Sequence, residues 1–234
     1  MKTNLQPVEK VVGGLGLALD VMDVWSTIQG EGPFTGTPAT FIRLAGCNLM
    51  CPLCDTNYTA GRKPQSIDEL IQRVAALGNE LIVITGGEPF RQNLTRLCFE
   101  LCDMGYLVQV ETNGVIDPSE EFQDLKVRVN FQNCRLCVVC SPKTSKVSGS
   151  MKDVVDAWKY VVRHGEVDLD GMPTSALGMS GVPSRPTNGS QIYIQPADEQ
   201  DVHLNNLNMV AAVESCLQHK HRLCLQLHKI AGLA

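Results

Sequence analysis

Three cysteines, Cys47, Cys51 and Cys54, sit close together in the first quarter of the chain. Their spacing places three thiols in one loop, one fewer than a saturated tetrahedral zinc or iron-sulfur site takes. If each thiolate holds one iron of a 4Fe-4S cluster, the fourth iron keeps an open position where a small molecule binds directly. The competing chemistry is a structural zinc knuckle completed by a distant ligand, which would make the chain a zinc-binding interaction module. A second group, Cys134, Cys137 and Cys140, could be read as another metal site. The stretch from Leu136 has a strand's composition, however, and strand side chains three apart point to opposite faces. These three are expected to be structural thiols, and Cys98, Cys102, Cys216 and Cys224 to be small buried hydrophobes.

Polar groups recur just after apolar runs, and those runs are the elements that position them. Residues 39–44 (ATFIRL) are short and β-prone and lead into the cysteine loop. Ser66 and Glu69 make a capping box, after which Leu70, Val74 and Leu77 recur at helical spacing. Residues 81–84 (LIVI) read as a buried strand ending in Thr85-Gly86-Gly87-Glu88-Pro89. The two glycines there let the backbone approach a ligand, and Glu88 offers an acceptor for an ammonium group. A helix over 93–104 precedes a strand over 106–110, which ends in Glu111-Thr112-Asn113-Gly114. The alternation continues with 136–139 before Ser141-Pro142-Lys143, a helix from Met151, and strands over 158–162 and 191–194, the last before Gln195-Pro196. A helix over 207–218 and a strand over 222–227 lead to His228-Lys229.

Strand, loop, helix, strand implies a parallel sheet whose strand ends carry the site. The fold class is α/β, an incomplete TIM-like barrel open at one side, with residues 1–234 as a single domain. Residues 165–190, rich in Gly, Pro, Ser and Met without periodicity, are expected to be a loop or disordered insertion. At 234 residues and 44% hydrophobic, the chain can bury one substantial core. A net charge of -5 argues against a broad grip on nucleic acid and favours a small-molecule substrate. The first twenty residues hold no apolar run suited to a signal peptide or membrane span, so the expected location is the cytoplasm, where ten cysteines stay reduced.

The cysteine spacing is that of radical S-adenosylmethionine enzymes, and the surrounding motifs resemble one family of them, 7-carboxy-7-deazaguanine synthase. The resemblance runs from Trp25 to the C-terminus. It rests on Ser26-Thr27-Ile28-Gln29-Gly30-Glu31-Gly32, on Phe41-Ile42-Arg43 before the cysteines, on Cys54-Asp55-Thr56, and on the His228-Lys229 and Gly232-Leu233-Ala234 ending. It implies a 4Fe-4S cluster on Cys47, Cys51 and Cys54, S-adenosylmethionine chelated by the free iron, and Mg2+ held in part by Thr56. Gly87, Glu88, Asn113, Ser141, Pro142, Lys143, Tyr193, Gln195 and Pro196 would bind S-adenosylmethionine. Leu53 stands where an aromatic residue usually packs near the adenine. Ile28, Gln29, Gly30, Glu31, Arg43, Thr85, His228 and the terminal carboxylate of Ala234 would bind substrate.

The implied reaction converts 6-carboxy-5,6,7,8-tetrahydropterin to 7-carboxy-7-deazaguanine with loss of ammonia, as in queuosine biosynthesis. A flavodoxin- or ferredoxin-like donor would supply the electron, and the chain would be a homodimer. A radical activase that installs a glycyl radical on a partner protein shares the cluster. The Gln-Gly-Glu-Gly entry, Asp55-Thr56 and the ending favour the small-molecule enzyme.

Overall fold

The computed structural model describes residues 3–131 and 136–233, so Cys134 and Ala234 lie outside the described residues. Its centre is one nine-stranded sheet in the order β3-β1-β2-β4-β5-β6-β7-β8-β9. Strands β2 (Pro38–Leu44), β4 (Leu81–Gly86), β5 (Leu107–Thr112), β6 (Leu136–Cys140), β7 (Ala157–Val162), β8 (Gln191–Pro196) and β9 (Arg222–Leu223) run parallel in succession. The long β1 (Ala18–Ile28) pairs antiparallel with β2, and β3 (Lys63–Ser66) antiparallel with β1. The edges β3 and β9 do not meet, so the sheet is a partial barrel.

Alternation along each strand divides the side chains between two faces. Ile42, Leu44, Ile82, Ile84, Val108, Val110, Val138, Trp158, Tyr160 and Ile194 face outward into one core. The helices α1 (Ile67–Leu77), α2 (Thr95–Asp103) and α3 (Glu120–Phe131) cover them through Leu70, Val74, Leu97, Leu101, Phe122 and Leu125. Each such fully buried aliphatic side chain contributes about 1.5–3 kcal/mol. On the inner face the lower positions are apolar: Ala39, Leu81 and Val83 pack with Phe41 and Leu107, and Val139, Ala157, Tyr193 and Cys224 form a second group. The next inward positions toward the C-terminal strand ends, Arg43, Thr85, Glu111, Lys159 and Gln195, are polar and line a cavity. The strand period therefore builds both the core and the site.

The capping box forms as the sequence predicts. Ser66 Oγ accepts from the Glu69 backbone N–H, the Glu69 carboxylate accepts from the Ser66 N–H at 2.7 Å, and α1 ends at Gly78 with φ +73°. β1, β3 and α3 have no counterpart among the expected elements, and two of the expected ones have other bounds. Asp201 accepts from Leu204 N–H at 2.9 Å and starts α5 (Val202–His219) earlier than 207. The strand at 222 stops at Leu223, and Leu227 already opens the turn of α6 (Leu227–Ile230). Single-turn α4 (Met151–Val154) follows β6.

Cys137 packs with the inner group while Cys140 lies in the outer core, so these two thiols point to opposite sides of β6. The segment 165–190 carries no helix or strand but is pinned throughout. Arg185 pairs with Asp168 and Asp170, Tyr160 Oη donates to the Ser184 carbonyl at 2.7 Å, and Trp158 Nε1 donates to Asn188 at 2.7 Å. Disorder was one sequence expectation for this segment; its internal ion pairs and turns give it a defined path instead. Among the described residues no helix is long and apolar enough to cross a membrane.

Candidate active site

Cys47, Cys51 and Cys54 line one cavity of about 320 Å³ at the C-terminal ends of the strands. The loop that carries them leaves β2 with Gly46 in the left-handed region, φ +78°. Burial pushes the Cys47 thiol up to about 12, with the charge of Glu88 adding to it. Burial also raises Cys51 and Cys54, while Lys143 opposes it at both. The free thiols are thus held neutral, and thiolate ligation of a metal releases their protons. Among the described residues no three His, Cys, Asp or Glu side chains converge on a single metal ion. Three thiols carried by one loop and facing one cavity suit a 4Fe-4S cluster, in which each sulfur binds a different iron.

Gly87 closes against this loop. A Cβ there would stand 2.2 Å from the Gly46 carbonyl oxygen and 2.9 Å from Cys47 Cβ, so only glycine permits the approach. Glu88, the next residue, is fully buried and packs behind the cavity-lining Thr112 and Asn113. Its carboxylate accepts from Thr112 Oγ1 and Asn113 N–H at 2.7 Å and from Phe90 N–H at 3.0 Å. Burial raises its pKa to about 7 against these donors. Both Glu88 oxygens accept hydrogen bonds, and the carboxylate ties the end of β5 to the Gly-Gly turn. Asn113, so placed, lines the cavity and donates to Asn48 of the cysteine loop at 2.8 Å. Ser141 and Lys143 line the same wall, with Lys143 Nζ donating to Ser141 Oγ at 2.5 Å. Burial, and after it the charge of Lys159, lowers the Lys143 pKa.

The inner wall is a connected polar network. Gln29 Nε2 and Gln109 Nε2 donate to Glu111 Oε1 at 3.0 and 2.8 Å, and Thr85 Oγ1 donates to Oε2 at 3.0 Å. Lys159 ion-pairs with Glu31, and Gln226 Nε2 donates to the other Glu31 oxygen at 2.9 Å. Burial opposes the Glu31 charge, but Lys159 prevails and holds the carboxyl well below the usual range. Arg43 lies over the Trp25 ring at 4.8 Å, and its Nε is buried without a hydrogen-bond partner. At the mouth, Lys229 bridges Asp55 at 3.3 Å and Asp198 at 3.2 Å.

Of the residues that the sequence nominates, Ile28, Gln29, Glu31, Arg43, Leu53, Thr56, Thr85, Gly87, Asn113, Ser141, Lys143, Gln195 and His228 line the cavity with the three cysteines. Gly30, Glu88, Pro142, Tyr193 and Pro196 do not. Gly30 instead lets His228 close over it, since a Cβ there would meet His228 Nδ1 at 2.1 Å. Tyr193 packs below Gln195 in the inner apolar group, its hydroxyl accepting from Arg222 at 3.2 Å. Pro142 is buried, and Pro196 turns away at the next position of β8. Ala234 lies outside the described residues. Glu111, Lys159, Gln226 and Lys229 line the cavity without having been nominated. Lys159 had a signal: a charge in the inward phase of an otherwise apolar strand.

The residues present therefore fit an iron-sulfur cluster with an adjacent small-molecule site. Residues 41–131 match the radical SAM superfamily. The chain is 36% identical to a 7-carboxy-7-deazaguanine synthase of Rhodospirillum rubrum, over 94% of this chain and 95% of that one. It is 34% identical to the synthase of the same name from Rickettsia prowazekii, over 97% and 94%. The chain belongs to the 7-carboxy-7-deazaguanine synthase family. The structure of QueE from Escherichia coli superposes with a TM-score of 0.65 at 22% identity, covering 89% of this chain and 93% of that one, which shows the shared fold. The radical SAM match covers the end of β2, the cysteine loop and the Gly-Gly turn, and family membership implies a 4Fe-4S cluster and S-adenosylmethionine.

Proposed function

We propose that the protein converts 6-carboxy-5,6,7,8-tetrahydropterin to 7-carboxy-7-deazaguanine with loss of ammonia. The observation that carries this reading is Arg43: a guanidinium with an unpaired buried Nε, stacked on Trp25, in the same cavity as Cys47, Cys51 and Cys54. An unpaired buried donor is costly, and a planar carboxylate substrate that accepts from it removes the cost. When bound, the cluster and S-adenosylmethionine supply a 5'-deoxyadenosyl radical, with electrons from a flavodoxin- or ferredoxin-like donor.

The chain's own residues do the rest. Gly87, Asn113, Ser141, Lys143 and Gln195 hold S-adenosylmethionine against the cysteine loop, with Leu53 as its apolar neighbour. Arg43 and Thr85 orient the substrate on the inner wall, with Gln29 and Ile28 beside it and His228 closing over Gly30. Glu31 fixes Lys159, and the two keep charge balanced as water leaves. Thr56, whose hydroxyl donates to Asp55 at 3.3 Å, contributes an oxygen to Mg2+ together with substrate and water. The test is anaerobic incubation of reconstituted, reduced protein with S-adenosylmethionine, Mg2+ and the carboxytetrahydropterin. Formation of the deazapurine is expected; its absence with an intact cluster overturns the substrate assignment.

A further inference from the structure

The cysteine loop, residues 45–62, contains neither helix nor strand. Within it, the backbone bonds are few: Cys54 N–H to the Cys51 carbonyl at 3.1 Å, and Gly46 N–H to that of Tyr58 at 2.7 Å. A loop this irregular is held in one shape only if its buried carbonyls find partners elsewhere. They find them on residues 4–9. Glu9 N–H donates to the Cys47 carbonyl at 2.7 Å, Asn4 N–H to that of Pro52 at 2.9 Å, and Asn4 Nδ2 to that of Cys51 at 3.2 Å. Gln6 Nε2 donates to the Thr56 carbonyl at 2.8 Å, while its Oε1 accepts from Tyr58 N–H at 2.7 Å. Asn4 and Gln6 also brace each other, Asn4 Oδ1 accepting from both the backbone N–H and Nε2 of Gln6 at 3.0 Å.

The arm is itself anchored from outside the loop's centre. Glu9 pairs with Arg62, and with the buried Arg91 at 3.4 Å; Arg91 Nη1 donates to the Lys10 carbonyl at 2.7 Å. Asn4 is only 8% exposed. A polar side chain that deeply buried, bonded to Cys51, Tyr58 and Gln6, has one geometric consequence: it fixes the peptides flanking the thiols.

We propose that residues 4–9 are a strap that positions the cluster loop, with the carboxamides of Asn4 and Gln6 as positioning residues that fix the loop carrying the three thiols and slow iron loss. The inference rests on the reading that Cys47, Cys51 and Cys54 carry the cluster. Asn4→Asp and Gln6→Glu are isosteric, so they preserve packing, but each sets a carboxylate oxygen against a loop carbonyl where a donor stood. Leu97→Ala serves as control, since it opens the outer core without touching the loop.

The experiment follows iron transfer to a chelator from anaerobically reconstituted protein, beside thermal melting of each apoprotein and the electron paramagnetic resonance signal of the reduced cluster. Asn4→Asp and Gln6→Glu are expected to release iron on the order of tenfold faster, with a heterogeneous reduced-cluster signal. Leu97→Ala is expected to melt earlier yet release iron near the wild-type rate. Wild-type release from both strap variants, or release that merely tracks melting as in Leu97→Ala, overturns the strap while leaving the cluster assignment standing. Failure of the wild-type chain to hold iron overturns both.

Discussion

Lys159→Met removes the cation from a pair whose side chains are only 12% and 13% exposed, and leaves the Glu31 carboxylate with the Gln226 amide alone. Breaking one side of a buried ion pair costs about 3–5 kcal/mol, because the remaining charge is stranded. At about 2–4 °C per kcal/mol for a chain of this size, the lower figure already lowers the melting temperature by about 6–12 °C. The effect has a pH signature. In the wild type Lys159 depresses the Glu31 pKa, so the pair's contribution is present above the unfolded value near 4.3 and is lost as pH falls below it. In the variant burial is opposed only by the Gln226 amide and the charge of His228, so most of the depression of the Glu31 pKa is lost and with it the stability it contributes. The gap between the two proteins is therefore full near neutral pH and narrows as pH falls from about 4 toward 2. Denaturant unfolding of the apoproteins, followed by circular dichroism across that range, measures it. The double variant Glu31→Gln with Lys159→Met is expected to recover most of the loss. A pH-independent gap under about 1 kcal/mol would refute the reasoning.

Arg43→Lys keeps the charge but loses the planar fork over Trp25; KM for the carboxylated substrate is expected to rise roughly tenfold or more, with S-adenosylmethionine affinity unchanged in equilibrium binding. Gly87→Ala forces a Cβ into the Gly46 carbonyl, so the Gly-Gly turn and the cysteine loop separate, and titration should show S-adenosylmethionine binding weakened by at least about tenfold. Cys51→Ala is expected to purify without the brown iron-sulfur absorption after anaerobic reconstitution, read directly in the visible spectrum.

The fold was legible because its strands obey period two and end in polar motifs. Residues 81–84 are an unbroken apolar run and 191–194 an alternating one, each closed by a polar motif, and the Ser66 cap announces α1. The cavity-lining residues that escaped notice are those whose role comes from phase or from distant closure. Glu111 stands in a motif that was read only for its neighbours, Lys159 is marked only by the inward phase of β7, and Gln226 and Lys229 reach the site because α6 begins where the strand was expected to continue. Glu88 shows the converse. Its motif is conspicuous, yet the carboxylate accepts from Thr112 and Asn113 at the next strand end, a contact that no local pattern announces. The Asn4 and Gln6 contacts span some fifty residues and have no local signal at all.

The most direct test of the account counts product against cofactor. Reduced wild-type protein and Cys51→Ala are incubated anaerobically side by side with the carboxytetrahydropterin, Mg2+ and limiting S-adenosylmethionine, and deazapurine and 5'-deoxyadenosine are quantified by mass spectrometry. The account predicts several equivalents of 7-carboxy-7-deazaguanine per S-adenosylmethionine in the wild type, little free 5'-deoxyadenosine, and no product from Cys51→Ala. Product formation that survives Cys51→Ala, or one equivalent of 5'-deoxyadenosine released for each product, would contradict it.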